Sequence, residues 1–171
     1  IHKLRALDAE YGERVTTVFS TRDTIERHVL NADLVIGAVL VVGAQAPKLV
    51  GRELVARMRP GSVLVDVAID QGGCFADSHP TTHADPTFTV HNSVFYCVAN
   101  MPGAVPNTST WALTNATLPY AVQLAEKGWR RACDESQPLA LGLNVVGGAV
   151  TCKGVSDAFG DLPSASIRSV L

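Results

Sequence analysis

The spacing of hydrophobic and polar positions changes along the chain, and each change marks an element. Residues 3–11 read as a helix, and Val15-Thr16-Thr17-Val18-Phe19-Ser20 as a β-branched strand. Over residues 23–30, Ile25, Val29 and Leu30 fall at helical spacing. The run 32–40 is dominated by Leu34, Val35, Ile36 and Val39. Near-continuous apolar runs of this kind suit parallel strands covered on both faces. Residues 52–58 predict a short helix that Arg59-Pro60-Gly61 stops, and residues 62–68 the next strand. Strands alternating with short helices predict an α/β fold with a doubly wound parallel sheet.

From residue 72 to 86 the pattern gives way to Gly, Pro, His, Thr and Asp, which reads as a surface loop. Strands are expected at 87–90 and 94–98, with Asn92 and Ser93 turning the chain between them. Pro106 suits a helix start, where its missing N–H is not needed, and the helix should reach about Cys133. Ala112, Ala116, Tyr120 and Leu124 recur every four residues on one face of it. Pro119 lies inside and should kink or interrupt it. A helix of this length often links two lobes. The remainder predicts two short strands around Gly147-Gly148 and a last helix near residues 155–159.

With 171 residues and 47% hydrophobic content, the chain can bury a core. A net charge of -2 without basic runs argues against nucleic-acid binding. Apolar runs such as 32–42 are too short to span a bilayer, and Gly37 interrupts that one. Cys74, Cys97, Cys133 and Cys152 match no metal-binding spacing and read as free thiols in a reducing cytosol. The text opens on Ile1, inside an apparent helix and with no signal-peptide pattern. The expectation is the C-terminal part of a longer chain.

Ligands of open parallel sheets bind beyond the carboxyl ends of the strands. Three places qualify here: Phe19-Ser20-Thr21, Gly37-Ala38-Val39-Leu40 and Ala68-Ile69-Asp70. Small residues there let a flat ligand, such as a dinucleotide, approach the backbone. The stretch Val65-Asp66-Val67-Ala68-Ile69-Asp70-Gln71-Gly72-Gly73 places two acids four residues apart in an apolar run. Asp66 precedes the strand end and reads as a structural, hydrogen-bonded acid. Asp70 reads either as a turn residue bonded to its own backbone or as a functional acid facing a site. The Gly-x-Gly-x-x-Gly turn of dinucleotide-binding domains is not in these residues.

Five motifs in one order resemble alanine dehydrogenase, of the alanine dehydrogenase/pyridine nucleotide transhydrogenase family. They are 32–40 (ADLVIGAVL), 46–50 (APKLV), 58–66 (MRPGSVLVD), 68–73 (AIDQGG) and 99–102 (ANMP). The likeness continues through Thr114-Asn115-Ala116-Thr117-Leu118-Pro119-Tyr120 to Ala158-Phe159-Gly160. The transhydrogenase nucleotide-binding domain shares the Pro-Lys-Leu and Pro-Gly-Ser-Val patterns but typically lacks the acid found at Asp70. A 2-hydroxy-acid dehydrogenase is disfavoured, since that family expects an arginine shortly after the strand, where Asp70-Gln71-Gly72 stands.

The resemblance implies reversible oxidative deamination of L-alanine to pyruvate and ammonia, with NAD, by a cytoplasmic homohexamer. Its fold would be a Rossmann-like domain followed by a linking helix and a return into the catalytic domain. Residues 1–105 would be the remainder of the NAD-binding domain, and 106–171 the long helix and the C-terminal part of the substrate domain. The Gly-rich turn, the catalytic histidine and the substrate-binding arginine and lysine would lie upstream of Ile1. By the same matching, Asp70 sits beside the nicotinamide and helps activate water or ammonia. Lys3, Ser20, Val39, Leu40, Val67, Ala68, Ile69, Val98, Ala99, Asn100 and Met101 join it as cofactor contacts, Lys3 beside the adenosine ribose. His79 and His83 read as solvated loop residues, and Gln123 with Lys127 is a poor metal pair. The alternative reading is a transhydrogenase-like nucleotide-binding module or a catalytically incomplete fragment.

Overall fold

The computed structural model describes residues 1–171, which divide into two compact units. The first comprises 1–40 and 46–99, the second 41–45 and 100–171.

The first unit opens with helix α1 (His2–Tyr11), a turn at Gly12–Arg14 and helix α2 (Arg22–Asn31). Thr21 caps α2: its hydroxyl accepts the Thr24 N–H while the Thr24 hydroxyl accepts the Thr21 N–H. Two free donors at the start of the helix are thus met by side chains. Strand β1 (Leu34–Gly37) follows, then helix α3 (Arg52–Ala56), strand β2 (Val63–Asp66), and the hairpin β3 (Thr87–Val90) and β4 (Ser93–Tyr96). The sheet order is β1-β2-β4-β3; β1, β2 and β4 run parallel, and β3 is antiparallel at the edge. His91, at φ 51, turns the hairpin.

The expected α/β fold with a parallel sheet is present. One expected strand is not: residues 15–20 join no ladder. Their β-branched side chains favour the extended form, yet a strand needs a neighbour to take its N–H and C=O groups. Strands β1 and β2 are also shorter than their apolar runs, and β4 begins and ends earlier than expected.

The core packs α2, α3 and the strands around Val29, Val55, Leu64, Ile69, Phe75 and Phe95. Phe95 touches Phe75 edge-on at 6.1 Å between ring centres and stacks on Phe88 at 5.2 Å. Gly37 ends β1 beneath this cluster; a Cβ there would collide with the Cys74 sulfur and the Phe75 ring.

The second unit is led by helix α4 (Pro106–Glu135). The interruption expected at Pro119 lies instead at Gly128, whose φ of 71° and ψ of 157° are not helical. Proline removes one hydrogen bond without forbidding helical angles, whereas Gly128 adopts a conformation open essentially only to glycine. Helix α5 (Gln137–Leu141), the two-residue strands β5 (Val145–Val146) and β6 (Ala149–Val150), helix α6 (Lys153–Ala158) and helix α7 (Ile167–Val170) complete the unit. Gly147 and Gly148, both at positive φ, turn the β5–β6 hairpin as such two-residue loops require. The final helix α7 had no counterpart in the sequence pattern. No helix is long and apolar enough to cross a membrane.

Candidate active site

Two parallel strands end side by side, Gly37 opposite Asp66. Beyond them Ala38, Val39, Leu40, Val67, Ala68, Asp70 and Gln71 line a groove of about 220 Å³. Its walls are small or apolar; Leu40 is 70% exposed and Val67 49%. Exposed aliphatic groups at a strand edge suit a flat, weakly polar ring.

Asp70 sits in the middle of a single 3-10 turn, Ile69–Gln71. The turn is tied to β1 at its start, where the Val67 N–H donates to the Gly37 carbonyl at 2.7 Å. Within the turn, the Gln71 and Gly73 amides both donate to the Ala68 carbonyl. Asp70 is exposed, and its carboxylate makes no hydrogen bond or ion pair within the chain. Of the two readings open for it, the turn-capping one fails.

The capping role belongs to Asp66. It is fully buried, and its carboxylate accepts the N–H groups of Ala68 at 3.2 Å, Cys74 at 2.9 Å and Phe75 at 3.3 Å. It also accepts the Ser78 hydroxyl at 2.5 Å and the Cys74 thiol at 3.5 Å. This loop can close around Asp66 because Gly72 and Gly73 take positive φ, 89° and 74°. A Cβ on Gly73 would lie 2.7 Å from the Asp66 carboxylate. Burial, reinforced by the Asp66 charge, pushes the Cys74 thiol up to about 12. Burial raises the Cys97 thiol as well. Neither is a nucleophile near neutral pH.

Lys48, part of a quoted motif but given no role from sequence, reaches this loop from outside. Its ammonium donates to the carbonyls of Gly72 at 2.6 Å and Phe75 at 3.0 Å. The sequence around Lys48 gives no signal of this role, since residues 48 and 72 are brought together only by the fold.

The structure therefore gathers Val39, Leu40, Val67, Ala68 and Asp70 in one groove. Ile69 turns its side chain into the core, leaving its backbone for any ligand contact. Ser20 lies in a second groove of about 470 Å³ with Thr21, Arg22 and Lys48. Lys3 is exposed on α1 and lines neither groove. Val98 is buried and Ala99 exposed at the end of the first unit; Asn100 and Met101 open the second. His79 stacks on Phe88 at 3.7 Å, in a recess with Arg52, Asp77 and His91 and away from Asp70. Lys127 pairs with Glu135 at 2.6 Å.

Comparison with known proteins gives a consistent result. The family model described as alanine dehydrogenase/PNT, C-terminal domain, matches residues 1–153. An alanine dehydrogenase of Mycolicibacterium smegmatis is 58% identical over 163 residues, 95% of this chain and 44% of that protein. One from Halomonas elongata is 59% identical over 160 residues, 94% and 43%. One from Mycobacterium tuberculosis is 57% identical over 171 residues, 100% and 46%. A solved L-alanine dehydrogenase superposes with a TM-score of 0.79 at 49% identity, covering 94% of this chain and 44% of that one. The chain thus spans less than half the length of the curated relatives it matches.

Proposed function

The chain belongs to the alanine dehydrogenase/PNT family, and on that premise we propose that it supplies the NAD-binding sheet edge and an acid–base carboxylate of an L-alanine dehydrogenase. The reaction is the reversible conversion of L-alanine, NAD and water to pyruvate, ammonia and NADH. Residues 1–105 are assigned to the NAD-binding domain, and 106–171 to the linking helix and part of the substrate domain.

One observation carries the reading. An unpaired carboxylate, Asp70, stands on a pinned turn at the rim of a groove whose other walls, Gln71 apart, are apolar. Val39, Leu40, Val67 and Ala68 fit the face of a nicotinamide ring, with Val98, Ala99, Asn100, Met101, Ser20 and Lys3 assigned to the rest of the cofactor. NAD held there would supply the hydride acceptor for the substrate Cα. The imine left on the substrate must then add water. Asp70 can hold that water, accept its proton as the C–O bond forms, and pass the proton to the departing amine. In the reverse direction the same carboxylate serves ammonia adding to pyruvate.

The finer assignment is a cytoplasmic homohexamer. Support comes from α4, where Trp111 and Leu113 are each 66% exposed and Leu118 54%, apolar area that calls for cover. A light-scattering mass of one subunit would remove the hexamer.

The test is NADH formation with L-alanine in the full-length polypeptide carrying these residues. Asp70→Asn keeps the side-chain shape and should lower kcat by ~10²–10⁴-fold. Turnover unchanged in that variant would overturn the assignment of Asp70. Nucleotide binding without any alanine-dependent turnover would favour the transhydrogenase-like module.

A further inference from the structure

The turn that presents Asp70 is followed by two glycines in the left-handed region, Gly72 and Gly73. Such a pair is the most pliable backbone a chain can have, so something outside it must hold it. The amides of the pair donate to the Ile69 and Ala68 carbonyls, and the two amides that follow it, of Cys74 and Phe75, are held by Asp66. The carbonyls that flank the pair, of Gln71 and Cys74, are held by the segment 46–50. The Ala46 amide donates to the Gln71 carbonyl at 3.0 Å, and the Leu49 and Val50 amides donate to that of Cys74 at 2.8 and 3.4 Å. The Val50 carbonyl in turn accepts the Ala76 amide at 2.9 Å.

One side chain takes part in this strap. The Lys48 ammonium donates to the carbonyl of Gly72, two residues past Asp70, and to that of Phe75. It bridges the two ends of the Gly72–Phe75 segment, whose Cys74 and Phe75 amides are bound to the Asp66 carboxylate. A cation bonded to two carbonyls is charge-assisted and directional, and worth more than a neutral contact. From this we propose that Lys48 is a positioning residue for Asp70: it fixes the glycine turn so that the free carboxylate meets the water or ammonia that adds to the reacting carbon. The proposal rests on the alanine dehydrogenase reading and adds a residue to it.

The consequence is specific. Misplacing a catalytic group by about 1 Å can cost on the order of 10²-fold in rate. Lys48→Met keeps the length of the stem and removes every donor. In the full-length enzyme it should lower kcat on the order of 10–100-fold while the melting temperature shows that the protein is folded. Lys48→Arg, which retains donors for both carbonyls, should recover part of the loss. The decisive readout is the pair with Asp70→Asn. If Lys48 acts through Asp70, Lys48→Met should add almost nothing to the Asp70→Asn defect, because residues that act as a unit are not additive. An equal further loss in the Asp70→Asn background would overturn the proposal and leave Lys48 a general stabiliser. A raised KM for NAD with unchanged kcat would also overturn it, placing Lys48 on the cofactor through the groove it shares with Ser20. If Asp70→Asn alone leaves kcat intact, the functional reading itself fails, and that outcome is visible before Lys48 is touched.

Discussion

Replacing Asp66 by asparagine changes a buried carboxylate into a group of the same shape with half its acceptor capacity. One oxygen now accepts Cys74, Phe75 and Ser78, and the other accepts Ala68 and the Cys74 thiol. An amide must give one of those positions to a donor. If its nitrogen faces Ala68, one buried N–H loses its acceptor; if it faces Cys74 and Phe75, two do. A buried donor left unsatisfied costs about 1–3 kcal/mol, and hydrogen bonds to a charged acceptor contribute about 1.5–3 kcal/mol. The lower-cost orientation will be chosen, so Asp66→Asn should destabilise by about 2–4 kcal/mol. That is a large part of the roughly 5–15 kcal/mol that holds a typical domain folded. Asp66→Ala should cost more, since it leaves three buried amides without an acceptor. Urea unfolding of the full-length protein measures the change, and hydrogen exchange at the Cys74 and Phe75 amides locates it. A loss below ~0.5 kcal/mol, with those amides still protected, would refute the view that Asp66 organises the loop.

Other expected outcomes follow from single features. Gly128→Ala meets no neighbouring atom but must hold φ 71°, ψ 157°, so it should cost about 1–3 kcal/mol by thermal melting or straighten α4; no change in stability or helicity would refute the strain. Cys74 is pushed from 9.0 up to about 12. Between those values the folded state keeps a proton that the unfolded state has lost, so stability falls as pH rises through that window and is unaffected below it. Cys74→Ala should flatten this alkaline decline, and an unaltered slope would assign it elsewhere. The Asp70→Asn and Lys48→Met experiments above complete the set.

Much of the first unit was legible because its signals are local. The apolar runs at 34–37 and 63–66, the Pro-Gly stop before the second, and the Thr-Phe-Thr-Val strand each depend on residues that are neighbours in sequence. What failed depended on partners. Val15–Ser20 has the composition of a strand, yet pairing is decided by what lies alongside, and no strand among residues 1–171 pairs with it. Likewise β3 carries no mark placing it at the sheet edge. In α4 the strongest helix breaker by reputation, Pro119, stays within the helix, and a glycine nine residues on ends it. With the chain deflected at Gly128, Lys127 reaches Glu135 at 2.6 Å across a separation that a straight helix would make ~12 Å long.

The candidate site divides the same way, and its two aspartates show why. From sequence, Asp66 and Asp70 are two acids in one apolar run, differing only in register. Pairing places Asp66 opposite Gly37, at the last rung of β2, with its side chain directed under the sheet edge. There a carboxylate persists only if it is saturated with donors, and the loop from Ala68 to Ser78 is wrapped to provide them. Asp70 lies past the strand, on the turn which that wrapping creates, and the donors around it are committed to Asp66 or, for the Gln71, Gly72 and Gly73 amides and Lys48, to backbone carbonyls. One acid is thus spent on structure, and the other is left free by it. A free carboxylate at a strand end is what acid–base chemistry on a bound imine requires. The donors that free it, including Lys48, come from segments that no local reading of 65–73 could connect to it. The site is therefore a property of the 46–50 strap and the Asp66 loop together, and Asp70 is the residue they expose.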